Sequence, residues 1–111
     1  MAHYTELKNK NAIITGSTSG IGLGIAHTLA GLGVNIMLNG FGGTADIEKV
    51  RSDLAASTGV KVLYSNADMS KSDEIATMMR DADAAFGAVD ILINNAGIQF
   101  VSPLEEFPLE K

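Results

Sequence analysis

Thr15-Gly16-Ser17-Thr18-Ser19-Gly20-Ile21-Gly22 follows directly on the apolar run Ala12-Ile13-Ile14 and leads into a stretch of helical period. A strand that runs into a tight glycine turn and then a helix presents backbone N–H groups and the positive end of the helix dipole at one point. That arrangement favours a pyrophosphate. Glycine suits the turn because a Cβ would collide with the ligand or with the helix–strand contact. The spacing is G-x-x-x-G-x-G, which differs from the G-x-G-x-x-G of the common dinucleotide fingerprint. No Lys follows the last glycine, as a phosphate-binding NTPase loop requires, so kinase and NTPase chemistry fits poorly. The competing reading is a structural glycine turn in a flavodoxin-like domain that holds no dinucleotide.

Outward from the loop, short apolar runs alternate with helical patterns. The runs are Ala12–Thr15, Asn35–Asn39, Val60–Tyr64 and Val89–Asn94. The first, second and fourth are nearly continuous in apolar character, as parallel strands covered on both faces are. The third alternates more, as an edge strand does. Ile21, Ile25, Leu29 and Leu32 predict the buried stripe of the first helix, with Gly24, His27, Thr28 and Gly31 on its solvent side and Gly33 as its stop. Ile47, Val50 and Leu54 form the stripe of the second, with Gly59 beyond its end. Ile75, Met78, Met79, Ala82 and Phe86 form that of the third, followed by Gly87. Ser70 and Asp73 predict a capping box at the start of this third helix, which leaves the nearby Asp68 free for other contacts. The order β-α-β-α-β-α-β makes residues 1–111 one α/β domain with a parallel sheet and right-handed crossovers. Ser102-Pro103-Leu104-Glu105 predicts a turn, and Phe107-Pro108-Leu109-Glu110-Lys111 reads as the start of a further helix.

Composition narrows the class of function. The chain has 111 residues, is 46% apolar and carries a formal net charge of -5. These values suit a globular domain and exclude a disordered chain or a basic nucleic-acid surface. With no cysteine and two histidines, neither a disulfide scaffold nor a zinc site is expected. No apolar run approaches the ~18 residues of a membrane span, and no leader pattern opens the chain. A cytoplasmic domain with no membrane or nucleic-acid partner is the expectation. His27 reads as a solvated surface side chain. Asp81 and Asp83 are spaced like the opening of a calcium loop, but Phe86 stands where that loop needs Gly, so no metal is expected.

Three motifs together resemble the short-chain dehydrogenase/reductase family. They are Thr15-Gly16-x-x-x-Gly20-Ile21-Gly22 after the first strand, Asp68 shortly after the third, and Asn94-Asn95-Ala96-Gly97 at the end of the fourth. Gly16 through Ala26, Leu38-Asn39-Gly40-Phe41-Gly42 and Asn95-Ala96-Gly97-Ile98-Gln99 are similar to one subgroup, the NAD-dependent D-3-hydroxybutyrate dehydrogenases. Those enzymes interconvert 3-hydroxybutyrate and acetoacetate by hydride transfer. The resemblance implies a Rossmann-like doubly wound parallel sheet, here incomplete, with strand order 3-2-1-4. It implies that Gly16, Thr18, Ser19, Gly20, Ile21 and Gly22 line the pyrophosphate and adjoining ribose. Asp68 would accept from the adenine amino group, and Met69 would cover the ring. Asn95, Ala96 and Gly97 would run past the nicotinamide-side ribose. Gln99 would contact the substrate carboxylate, although Phe100 stands where the subgroup often has His.

The cofactor implied is NAD. The second strand ends in Asn39-Gly40-Phe41-Gly42-Gly43, with no acid before Asp46 to hold a ribose 2′-OH and no cation at the strand end to pair with a 2′-phosphate. The subgroup resemblance implies that Phe41 fills that space and packs on the adenosine; the alternative is a loop aromatic packed on a neighbouring helix. The family's chemistry needs a Tyr whose pKa is lowered by a Lys four residues on, a Ser to orient the carbonyl and a relay Asn. Of the two tyrosines, Tyr4 has Lys8 at that spacing but precedes the first strand, and Tyr64 has Asp68 there. No residue is therefore assigned as catalytic. The expectation is an oxidoreductase of the hydroxybutyrate type acting on a small 3-hydroxy acid and its keto acid. It is truncated before the Ser-Tyr-Lys set and inactive alone. Intact relatives form homo-oligomers, and the shortened chain, with its fourth strand as a bare edge, is expected to self-associate. Two alternatives remain: a non-enzymatic nucleotide-binding or subunit-interaction module, and the remnant of an interrupted gene.

Overall fold

The computed structural model describes residues 7–95 and 100–103. The apolar runs become strands β1 (Asn11–Ile14), β2 (Asn35–Asn39), β3 (Val62–Ser65) and β4 (Ile91–Asn94). The periodic stretches become helices α1 (Gly20–Gly31), α2 (Thr44–Thr58) and α3 (Ser72–Phe86), and a further strand, β5, covers Phe100–Pro103. The sheet order is β3-β2-β1-β4-β5. The first four strands are mutually parallel, which bears out the 3-2-1-4 order.

The continuous apolar runs are explained by burial on both faces. Ala12 and Ile14 of β1, Ile36 and Leu38 of β2 and Ile93 of β4 share one core with Ala26 and Ala30 of α1 and Leu54 of α2. Ile13, Met37 and Leu92, one residue out of phase, share the opposite core with Met78 and Ala82 of α3. Register places these side chains in rows: Ile13 is level with Met37 on one side and with Leu92 on the other. Successive residues of a strand point to opposite faces, so a strand in the middle of such a sheet has no polar positions to spare. Gly59 and Gly87 end α2 and α3 as expected.

The structure corrects four expectations. The buried face of α1 is Gly22, Ala26 and Ala30 rather than the Ile21–Leu32 stripe. Ile25 and Leu29 pack only partly against that core, and Ile21 is 67% exposed. Small residues at i, i+4 and i+8 let α1 lie close on the sheet, which a row of bulky side chains would forbid. The predicted solvent side, Gly24, His27, Thr28 and Gly31, is exposed. Second, α3 begins with Lys71 at its N-cap and no side-chain cap, so Ser70 is not its capping residue. Third, β4 is not a bare edge. β5 runs antiparallel beside it, with Asn94 opposite Phe100 and Ile91 opposite Pro103, and supplies the ladder partners β4 would otherwise lack. Fourth, Ser102 and Pro103 lie in that strand rather than in a turn; proline is tolerated there because an edge position needs no N–H. The helix start expected at Phe107–Lys111 lies outside the described residues, as does Tyr4.

Candidate functional site

The loops after β1, β2, β3 and β4 leave the same end of the sheet. The chain passes from β1 to β2 on one side and returns from β3 to β4 on the other, so a crevice opens beyond the ends of β1 and β4. In open α/β sheets ligands bind at such a reversal.

The glycine loop is held there from beneath. Gly16 and Gly20 have φ of 61° and 62°, a left-handed conformation that makes the turn tight and that side chains resist. Ser17 is fully buried. Its hydroxyl donates to the Ile14 carbonyl at 2.6 Å and accepts the Asn39 N–H at 3.0 Å. Its own N–H donates to the Asn39 carbonyl at 2.7 Å. The Thr15 hydroxyl donates to Asn94 Oδ1 at 3.0 Å and accepts the Asn95 N–H at 2.9 Å. Asn95 Nδ2 donates to the Gly16 carbonyl at 3.2 Å. Gly22 completes the cradle, because a Cβ on it would lie 2.8 Å from Asn95 Nδ2 and 2.9 Å from the Gly16 carbonyl carbon. The turn, the first turn of α1 and the end of β4 are thus pressed together with no room for another atom.

The upper surface of the loop is open. Thr18 is half-buried, and Ser19 and Gly20 are exposed. Ser19 occupies the N-cap of α1 but makes no side-chain capping bond, and no acid lies in the first turn. The first N–H groups of a helix need an outside acceptor, and an anion supplies one. Gly40 lies against Thr18, where a Cβ would meet the threonine Oγ1 at 2.5 Å, so the β2–α2 loop passes close beside the glycine turn.

Asp68 stands at the far side, after β3. Its Oδ1 accepts the Ser70 N–H at 2.9 Å and the Ser70 hydroxyl at 2.7 Å. Its own N–H donates to Glu74 Oε1 at 2.8 Å. The expected arrangement, in which Ser70 capped the helix and left Asp68 unengaged, is replaced by one in which Ser70 serves Asp68. Those two bonds, the hydroxyl's first, hold the Asp68 carboxyl below the usual carboxylate range and keep it an ionised acceptor. Met69 is half-buried and packs against the α3-side core. Phe41 is 69% exposed and stands at the rim of a cavity of about 290 Å³ lined also by Thr44, Ile47, Tyr64 and Asn66.

The predicted residues Gly16, Thr18, Ser19, Gly20, Ile21, Gly22 and Asn95 therefore gather at the reversal, with Phe41, Asp68 and Met69 on the loops after β2 and β3. Ala96, Gly97 and Gln99 lie outside the described residues. Two residues were given no role by the sequence reading: Ser17, quoted only as part of the glycine turn, and Asn39, quoted only in the Leu38–Gly42 stretch and at a strand end that lacks an acid. The signal that could have found them is polar character at the ends of fully apolar strands. Tyr64 donates its hydroxyl to the Gly40 carbonyl, and burial pushes its phenol up from the ordinary value. That is the wrong direction for proton transfer near neutral pH. Among the described residues no helix is long and apolar enough to cross a membrane, and no cluster of three metal-ligating side chains occurs.

The sequence pattern of the short chain dehydrogenase family matches residues 10–111. The chain is 54% identical over 106 residues to a D-beta-hydroxybutyrate dehydrogenase of Cupriavidus necator, covering 95% of this chain and 40% of that protein. It is 54% identical over 102 residues to a D-beta-hydroxybutyrate dehydrogenase of Rhizobium meliloti, covering 92% and 40%. The chain thus spans about two fifths of the length of these relatives. Among solved structures, it superposes on L-sorbose reductase from Gluconobacter frateurii, complexed with NADPH and L-sorbose, with a TM-score of 0.76. Identity there is 33%, and the match covers 94% of this chain and 39% of that one.

Proposed function

The chain belongs to the short chain dehydrogenase family, and on that premise we propose that it is the dinucleotide-binding half of an NAD-dependent oxidoreductase acting on a small 3-hydroxy acid. The observation that carries the reading is the uncapped first turn of α1, set over the Gly16–Gly22–Asn95 cradle at the reversal of the sheet. A bound nicotinamide dinucleotide supplies the hydride acceptor or donor. This chain's residues bind and orient it. The first-turn N–H groups of α1 take the pyrophosphate, and Gly16, Thr18, Ser19, Gly20, Ile21 and Gly22 line it. Asp68 accepts from the adenine amino group, beside Met69 and Phe41. Asn95, with Ala96 and Gly97 beyond it, borders the ribose next to the nicotinamide.

NAD is preferred over NADP because the cations nearest in sequence to the end of β2 are already engaged. Lys49 pairs with Asp53 at 3.0 Å, and Arg51 pairs with Glu48 at 2.6 Å. A 2′-phosphate would find no charge-assisted partner there. Likeness to the two D-beta-hydroxybutyrate dehydrogenases supports 3-hydroxybutyrate and acetoacetate as the substrate pair, with Gln99 at the carboxylate. Tyr64 has Asp68 rather than a Lys four residues on, and Tyr4 with Lys8 precedes β1, so we propose that the 111 residues alone do not turn substrate over. We place the protein in the cytoplasm, as a self-associating chain or a member of a homo-oligomer.

Calorimetric titration of the chain with NADH and NADPH tests the reading. Saturable NADH binding, with NADPH at least about tenfold weaker, is expected because a 2′-phosphate would be desolvated there with no charged partner. Tighter NADPH binding would overturn the NAD assignment, and heat from neither would overturn the nucleotide site. NAD-linked oxidation of 3-hydroxybutyrate by the pure chain would refute its inactivity.

A further inference from the structure

Asn39 is the last residue of β2, the place where dinucleotide folds commonly carry the acid that reads the adenosine ribose. Here the side chain turns inward, and the residue is only 2% exposed. Its Nδ2 donates to the Ser65 carbonyl at 3.1 Å and to the Ala67 carbonyl at 3.0 Å. Its Oδ1 accepts the Gly16 N–H at 3.3 Å. Its backbone N–H and carbonyl bond Ser17. One carboxamide thus joins the turn that faces the pyrophosphate to the segment immediately before Asp68. No other side chain of this size offers two donors and an acceptor in these directions.

We infer that Asn39 is a positioning residue that sets the distance between the glycine loop and the Asp68 loop, and that it does not read the ribose. The inference rests on the nucleotide site proposed above. It has a consequence that runs against simple analogy. An acid placed at this position would not improve NAD binding. The ionised carboxylate of an Asn39→Asp variant would turn an oxygen toward the Ser65 and Ala67 carbonyls in place of the Nδ2 donors, inside a buried site. Such a carboxyl is driven toward its neutral form, which restores one of the two donors. The titratable groups next to the position are Asp68, one residue beyond Ala67, and, on the opposite face of the sheet against the α1–α2 core, Tyr64, whose hydroxyl bonds the Gly40 carbonyl; Glu74 of α3 bonds the Asp68 N–H. Ser70 holds the first below its ordinary range and burial raises the second, so neither titrates between about pH 6 and 8.5.

The test uses the 111-residue chain and its variants Asn39→Asp and Asn39→Ser, titrated with NADH and NADPH at pH 6 and pH 8.5. For Asn39→Asp, both affinities should fall about tenfold or more at pH 8.5 and recover at pH 6, with the NADH:NADPH ratio unchanged. Each value is referred to wild type at the same pH: wild-type NADH affinity should be flat between the two, while the 2′-phosphate of NADPH itself titrates at about pH 6. Asn39→Ser, too short to bridge, should lose both affinities equally at either pH. A ratio that moves several-fold in either variant, or affinities that stay unchanged, would overturn the inference. Amide exchange without nucleotide supplies a separate arm. The Gly16 N–H should exchange at least about tenfold faster in Asn39→Ser than in wild type, because its acceptor is gone. Equal exchange would overturn the positioning role. If wild type binds neither nucleotide, the proposed function fails, and this arm still decides what Asn39 does.

Discussion

Replacing Gly22 by alanine probes the cradle with a single methyl group. Gly22 lies in α1 with ordinary helical backbone, so alanine meets no conformational objection and gains about 1 kcal/mol of helix propensity. The obstacle is space. The new Cβ would stand 2.8 Å from Asn95 Nδ2 and 2.9 Å from the Gly16 carbonyl carbon, and closer still to the Gly16 oxygen. Two of these three contacts are backbone, which cannot swing aside. Overpacking of this kind costs about 2 kcal/mol. Displacing Asn95 also breaks its 3.2 Å bond to the Gly16 carbonyl, which is worth about 1 kcal/mol. The net expectation is a loss of about 2 kcal/mol. Gly24 provides the control. It lies in the same helix, and its Cβ would meet nothing within 4 Å. Gly24→Ala should therefore gain about 1 kcal/mol. A separation of about 3 kcal/mol between the variants corresponds to ~1.5 M urea at a slope of ~2 kcal/mol/M. Equilibrium urea unfolding measures it directly. Gly22→Ala unfolding at the same midpoint as Gly24→Ala, or later, would refute the claim that turn, helix and β4 are in hard contact.

Further outcomes follow from Tyr64 and Asp68. Tyr64→Phe removes the donor to the Gly40 carbonyl and should cost about 1 kcal/mol at neutral pH in urea unfolding. Because burial raises the Tyr64 pKa in the folded state, its contribution is present below the unfolded value near 10 and is lost as pH rises through the folded value. Wild type should therefore lose stability above about pH 10 by an increment that Tyr64→Phe lacks, and parallel alkaline limbs would contradict this. The Asp68 pKa is depressed, so its contribution holds above the unfolded value near 4 and is lost as pH falls through the folded one. Asp68→Asn should flatten that acid limb and weaken NADH binding about tenfold at pH 7, read by calorimetry, since a donor replaces one acceptor oxygen. Unchanged NADH affinity would remove Asp68 from the adenine contact.

Much of the fold was legible in the residues because the signals are local. Ala12-Ile13-Ile14 and Asn35–Asn39 read as strands covered on both faces, and the two opposing cores confirm it. The stripes of α2 and α3 were legible for the same reason, since Ile47, Leu54, Met78 and Ala82 are the residues their helices bury. In α1 the same rule misled. There the face against the sheet is chosen by how closely the helix must approach, and Gly22, Ala26 and Ala30 win over Ile21 because they are small. The start of α3 was misread because Ser70 had two possible partners, and a carboxylate two residues back is nearer than a helix not yet begun.

The sequence by itself determined that this is a parallel α/β chain with a tight glycine turn between its first strand and first helix. Periodicity, turn glycines and their spacing are set by neighbours a few residues away. Only the tertiary structure decided that Asn39 faces inward, that Ser17 is a buried link between β1 and β2, that Asn95 closes over Gly16, and that β5 covers the edge of β4. Asn39 reaches Ala67 across 28 positions and Asn95 reaches Gly16 across 79. A polar side chain at a strand end has several chemically equal partners until the strand order brings one of them within about 3 Å, and that order is a property of the whole sheet.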